Sequence, residues 1–202
     1  MSRGNIILLV VVVAIALVIL AAASILHDGL SSRAKPTAME TMLARKARHM
    51  AIPAGARKQQ NPSADTAENL RDARLHFADH CAICHSNNGS GDTMIGRNLY
   101  PKPPDLRTQE TQKLADGELF WIIENGVRFT GMPAFGGAHG SEDDSWKLVR
   151  FIRHLPQLTP DERMEMERYN PKGPEDREEE QEENDFLKGQ AVQQKPEQSH
   201  HH

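Results

Sequence analysis

Apolar and polar residues divide this chain into stretches of different period. Residues 6–26 (IILLVVVVAIALVILAAASIL) are an apolar run without a charge. As a helix rising about 1.5 Å per residue, the run spans roughly 31 Å, enough to cross a bilayer core. Further on, Met39, Met42, Leu43, Ala47 and Met50 recur at helical spacing between Pro36 and Pro53, which predicts a short amphipathic helix over 37–50. Such a helix rests on its own domain or on the lipid surface; in the sharper reading it lays a basic face on anionic headgroups. "SEDDSWKLVRFIRHL" (141–155) predicts another helix. Ser141 can cap it, the acids at 142–144 suit its positive end, and Trp146, Val149, Phe151, Ile152 and Leu155 supply apolar positions.

Charge sorts these stretches into an organisation. The chain has 202 residues and a net charge of −4. Residues 27–65 carry seven Lys or Arg against three acids, 66–158 are near balance, and 161–202 hold six basic against thirteen acidic side chains. The expected division is a cytoplasmic N-terminus (1–5), a transmembrane anchor (6–26), a basic, proline-containing linker (27–65), a domain (66–158) and an acidic tail (159–202). The block "EDREEEQEENDF" (175–186) predicts a solvated, disordered tail, and the final histidines read as a tag remnant. The apolar run is longer than the roughly 7–15 residues of a signal-peptide core, so an uncleaved anchor is expected over a cleaved signal. Arg33, Lys35, Arg45 and Lys46 follow the run while only Arg3 precedes it, a balance that by itself favours a cytoplasmic domain. A domain of about 90 residues buries a modest core and often needs a staple or a cofactor.

The only two cysteines, Cys81 and Cys84, lie in "DHCAICHSNNGSGD" (79–92), with His85 directly after. Four readings compete. A local disulfide is geometrically possible, but small exported domains usually carry several bridges. A zinc site wants a second ligand pair; His76 and His80 lie on the same helix face but crowd the same turn, and are expected to be exposed. A redox dithiol wants a βαβ setting that these helical and loop-like surroundings lack. The fourth reading is covalent haem, for which C-x-x-C-H is the attachment pattern. Residues i and i+3 share a helix face, so both sulfurs can form thioethers to one porphyrin while His85 reaches the iron.

A second axial ligand is available in "RFTGMPAFGG" (128–137), where Met132 stands among Gly131, Pro133, Gly136 and Gly137. Glycine permits close approach to a porphyrin and a thioether raises the potential of ferrous haem. The bland alternative is a methionine filling a hydrophobic gap. Met94, His139 and His154 are weaker rivals, and Met42 and Met50 distant ones.

With CAICH at 81–85 and GMPAFG at 131–136, residues 66–157 resemble a class I c-type cytochrome. The resemblance extends to "ENLRDARLHFADHCAICH", similar to the family's N-terminal helix with Phe77 before the first cysteine. It includes 141–155, similar to the C-terminal helix that crosses it, with Phe151 open to either the helix crossing or the haem side, and "DGELFWIIENGV" (116–127), similar to the helix before the methionine loop, closed by a glycine cap after Asn125. It implies an all-α class I cytochrome c fold around one covalent haem c, held through Cys81 and Cys84, preceded by a single N-terminal transmembrane helix. "YPKPPDLR" (100–107) is similar to the family's Pro-x-Leu element. The Pro104 carbonyl is thereby implied to accept from the second nitrogen of His85, and Leu106 to pack on the haem face, with the register open by one residue. Trp121 and Arg128 are candidates to hold the propionates, Arg128 being equally a solvated surface charge. Ile95, Leu99, Leu106, Leu119, Ile122, Ile123 and Phe135 are candidates for the pocket.

The resemblance further implies an electron carrier rather than an enzyme, in the bacterial inner membrane with the haem domain on the periplasmic side. Its implied partners are redox proteins: a quinol-oxidising complex, a terminal oxidase or another respiratory complex. Neither nucleic acid nor a small-molecule substrate is expected. The alternatives are a permanent cytochrome subunit of a larger membrane complex, and a haem-based sensor or peroxidase with a labile sixth ligand.

Overall fold

The computed structural model describes residues 2–28, 31–137 and 141–172. The chain is all-α: the described residues contain helices and turns and no strand. Helix α1 (Arg3–Asp28) includes one stretch, Arg3–Ser24, long and apolar enough to cross a membrane, with none of it buried against the rest of the protein.

Two crossing helices make the core. Helix α4 (Ala67–His76) starts at Thr66, whose hydroxyl accepts from the Asn69 N–H at 3.1 Å. It continues through a π turn (Phe77–Cys81) into α5 (Ala82–His85). Helix α6 (Met94–Arg97) and helix α7 (Gln109–Gln112) are single turns in the chain that follows, leading to α8 (Asp116–Asn125). Helix α9 (Glu142–His154) opens with a reciprocal capping box: Ser141 Oγ accepts from the Asp144 N–H, and Asp144 accepts from the Ser141 N–H. Ala73, Phe77 and Ala78 on one side and Val149, Phe151 and Ile152 on the other share one buried cluster, with Phe77 and Phe151 rings 5.1 Å apart. Phe151 thus belongs to the helix crossing. Helix α8 joins through Phe120, stacked on Trp146 at 4.0 Å with the planes 5° apart.

Two segments outside the expected domain also pack on it. Helix α2 (Ala38–Ala51), capped by Thr37 and Glu40, and helix α3 (Ala54–Arg57) lie within the stretch read as linker. Arg45 pairs with Glu110, His49 Nδ1 lies 2.9 Å from Glu118, and Ile52 is buried. Asn61 donates to the Trp146 carbonyl at 2.9 Å, and Arg150 donates to the Ser63 carbonyl. Of the two resting places expected for the 37–50 helix, the domain is thus one that α2 takes, although through its polar face.

Helix α10 (Pro160–Glu167) lies within the stretch read as acidic tail. Its Met166 is fully buried, and its Glu162 and Glu165 both pair with Arg74. The acidic block at 175–186 and the final histidines lie outside the described residues.

Candidate functional site

The Cys81–His85 segment is shaped by the turn on either side of it. The π turn closes with the Ala82 N–H donating to the Phe77 carbonyl, five residues back. Such turns insert one residue into a helix and concentrate at functional sites. After His85 the helix stops at Ser86, whose φ of 62° is rare for a residue with a Cβ. The loop then folds under the motif. The Gly91 N–H donates to the His85 carbonyl at 2.8 Å, and Thr93 Oγ1 donates to the Ile83 carbonyl at 2.8 Å. Gly96 packs so closely that a Cβ there would sit 2.6 Å from the Cys84 carbonyl oxygen.

Cys81 and Cys84 are free thiols, both half-buried. Burial pushes the Cys81 thiol up to about 12, with the neighbouring Cys84 adding to the rise, and burial raises Cys84 as well. Activated redox or metal-binding cysteines show the opposite shift, toward the thiolate. Burial pushes His85 down to about 4, and the Pro104 carbonyl only partly opposes this. His85 Nδ1 is shielded from solvent and has no partner within normal hydrogen-bond geometry, so Pro104 lies near it without completing the implied bond. Among the described residues, no group of three or more His, Cys, Asp or Glu is arranged to hold a metal ion.

Met132 sits in a tight loop at the far end of α8. The Val127 N–H donates to the Met132 carbonyl at 3.1 Å, and the Met132 N–H donates to Thr130 Oγ1 at 3.1 Å. Gly126, at φ 63°, ends α8 and lies against Pro133; a Cβ there would meet the Pro133 backbone at 2.6 Å. Beyond the methionine the chain runs back along α8, with the Phe135 N–H donating to the Ile123 carbonyl at 3.0 Å. The loop and the cysteine motif are linked through Leu99. A Cβ on Gly131 would sit 2.7 Å from Leu99 Cδ2, and Leu99 follows directly on the turn that packs under Cys84.

Residues 68–152 match the family described as Cytochrome C oxidase, cbb3-type, subunit III. They form a class I c-type cytochrome domain. The match covers less than half of the chain, and a search of curated proteins found no match. The residues of this cytochrome domain fit the haem c that its family implies. Two un-ionised thiols stand three residues apart, beside an imidazole that burial keeps neutral and whose shielded Nδ1 has the Pro104 carbonyl as its neighbour.

The remaining candidates fall in different places. Leu106 is buried in the core cluster of the cytochrome domain, its N–H donating to the Gly89 carbonyl at 2.8 Å. Leu119, Ile122 and Ile123 are buried on α8, and Phe135 packs beside them. Leu99 is half-buried, whereas Ile95 is exposed. Trp121 is half-buried, its carbonyl accepting from Asn125 at 2.9 Å, and Arg128 is exposed without an ion pair among the described residues.

Met94 is exposed, and His139 lies outside the described residues. His154 is engaged by Glu162 at 3.0 Å. His76, expected on the surface, is half-buried beside His80, and burial lowers its pKa. The contributions of Ser86, Thr93 and Gly96 are not apparent from spacing. The one visible signal is the density of Gly, Ser and Asn after His85, which marks a turn without specifying what the turn supports.

Proposed function

We propose that this chain transfers electrons as a membrane-tethered cytochrome carrying one haem c, bound through Cys81 and Cys84 and ligated by His85 and Met132. The observation that carries the reading is the link through Leu99, which sets the Gly131–Met132 loop against the turn under Cys84. When bound, haem c supplies a one-electron iron couple. The chain's own residues do the rest. Burial keeps His85 neutral and able to ligate at neutral pH. The Pro104 carbonyl, which partly offsets the effect of burial on His85, is the group to accept from its second nitrogen and fix the ring orientation. Leu106, Leu119, Ile122 and Ile123 line an apolar wall that excludes water and limits reorganisation. Trp121 and Arg128 serve the propionates.

The partners of this reading are redox proteins of a respiratory chain, with a quinol-oxidising complex as donor and a terminal oxidase as acceptor. The domain then lies on the periplasmic side of the bacterial inner membrane, where haem c is attached. A second reading is a permanent subunit of a larger membrane complex. It is favoured by the subunit description of the matching family and by helices α2 and α3, which pack on the domain and leave little free tether.

The test is the absorption spectrum of the ferric protein, produced with haem-maturation machinery. The weak methionine-to-iron band in the far red is expected in the unaltered protein and lost in Met132→Ala. Covalent haem without that band removes Met132 as ligand. Carbon monoxide binding to the reduced protein would favour a sensor or peroxidase instead.

A further inference from the structure

Helix α2 packs on the cytochrome domain with the face that its sequence marks as polar. Arg45, Arg48, His49 and Ile52 fall on one side at 3.6 residues per turn. Arg45 meets Glu110, His49 meets Glu118, and Ile52 is 1% exposed. On the neighbouring face, centred about 120° round the helix, Met39, Met42, Leu43, Lys46 and Met50 fall within an arc of about 100°. The apolar members of that arc are 67%, 48%, 56% and 76% exposed. An apolar stripe of this kind normally faces a core; here the core lies to one side of it.

We infer that this stripe lies in the interface of an anionic bilayer. Three observations favour lipid. The apolar α1 ends at Asp28 and α2 begins at Ala38, so nine residues join them, reaching at most roughly 30 Å when extended. That connection carries Arg33 and Lys35, both exposed, and no acid follows Asp28 until Glu40, which is itself held by Thr37 and Tyr100. Lys46 stands in the middle of the stripe, where a long side chain buries its stem and keeps its ammonium among the headgroups. Because α2 is pinned to Glu110 and Glu118, the stripe also sets the orientation of the whole domain. It grips α8 at its first turn, while Met132 follows the other end, about 15 Å along the helix. The inference rests on α1 being a membrane anchor.

The test uses the haem-loaded full chain in nanodiscs of phosphatidylcholine and phosphatidylglycerol. A nitroxide is placed on Leu43→Cys and, for comparison, on Glu68→Cys, an exposed site of α4. The unsubstituted chain must take no label; if Cys81 or Cys84 reacts, the haem reading fails independently. Accessibility to oxygen and to a water-soluble nickel chelate is then compared. A several-fold higher oxygen-to-nickel ratio at 43 than at 68 supports the inference. Equal ratios overturn it, leaving the stripe in water. Poor access to both reagents at 43 also overturns it, in favour of a protein cover such as a second copy. Loss of the chain from nanodiscs on a high-salt wash removes the anchor itself.

Discussion

Leu99 occupies the space where a side chain on Gly131 would stand: a Cβ there would lie 2.7 Å from Leu99 Cδ2 and 2.9 Å from Cδ1. The loop that presents Met132 is therefore positioned by the absence of a side chain one residue earlier. Gly131→Val is expected to push the loop off Leu99 and to abolish the far-red methionine band of the haem-loaded protein. The covalent haem itself should remain. Leu99→Ala in the same chain makes room and should restore part of the band. An intact band in Gly131→Val alone would show that Leu99 does not set the loop.

Gly117 tests the docked arm. A Cβ there would lie 1.9 Å from the Ala56 carbonyl oxygen, a backbone atom that no rotamer change relieves. Gly117→Ala should expel α3 at a cost of about 1–3 kcal/mol. Trypsin should then cut faster after Arg57 and Lys58, while the 66–158 fragment stays resistant. Unchanged cleavage would mean that the arm is loose already.

The aromatic pair at the helix crossing carries a large share of the stability. Phe77→Ala is expected to cost about 3–5 kcal/mol in denaturant unfolding. Phe151→Ala should cost a similar amount, and the double variant less than the sum, by about 0.5–1.5 kcal/mol for the lost ring pair. Strict additivity would show that the two rings do not support each other.

Glu162 makes stability depend on acid. Burial pushes its carboxyl up, but the Thr159 N–H, His154 and the Thr159 hydroxyl outweigh this and hold it at about 2, against an ordinary 4.5. The folded pKa is the lower one, so the stabilisation is complete above 4.5 and is lost as pH falls toward 2. The urea midpoint should drop across that window. Glu162→Gln should be less stable at pH 6 and show a flatter decline. An unchanged slope in the variant would place the acid sensitivity elsewhere.

The candidate site could be read from the sequence because its motifs are local. C-x-x-C-H and Gly-Met-Pro each place their atoms within a few residues, and Ser141 and Asp144 cap α9 as their spacing implies. The docking of α2 and α10 was harder to read. Arg45 and His49 look like solvent-facing charges, and Met39, Met42, Leu43 and Met50 look like the packing face, yet the contacts are reversed. The partners Glu110 and Glu118 are 65 and 69 residues away, beyond any periodic signal. Glu162 and Glu165 likewise read as the start of an acidic tail, because their partners Arg71 and Arg74 are about ninety residues upstream. The capping pair Thr159 and Glu162, with Pro160 between, was the available hint of a helix there.

The π turn at Phe77–Cys81 has a mechanical consequence. In a regular helix Ala73, Phe77, Cys81 and Cys84 would follow one stripe, and the thiols would inherit the azimuth that packs against α9. The extra residue shifts that azimuth, so side chains beyond the turn leave the stripe of Ala73 and Phe77, while Cys81 at its end still packs against the buried cluster. Deleting a single residue from this turn would leave every side chain chemically present while rotating the thiols and His85 by about 100° out of alignment.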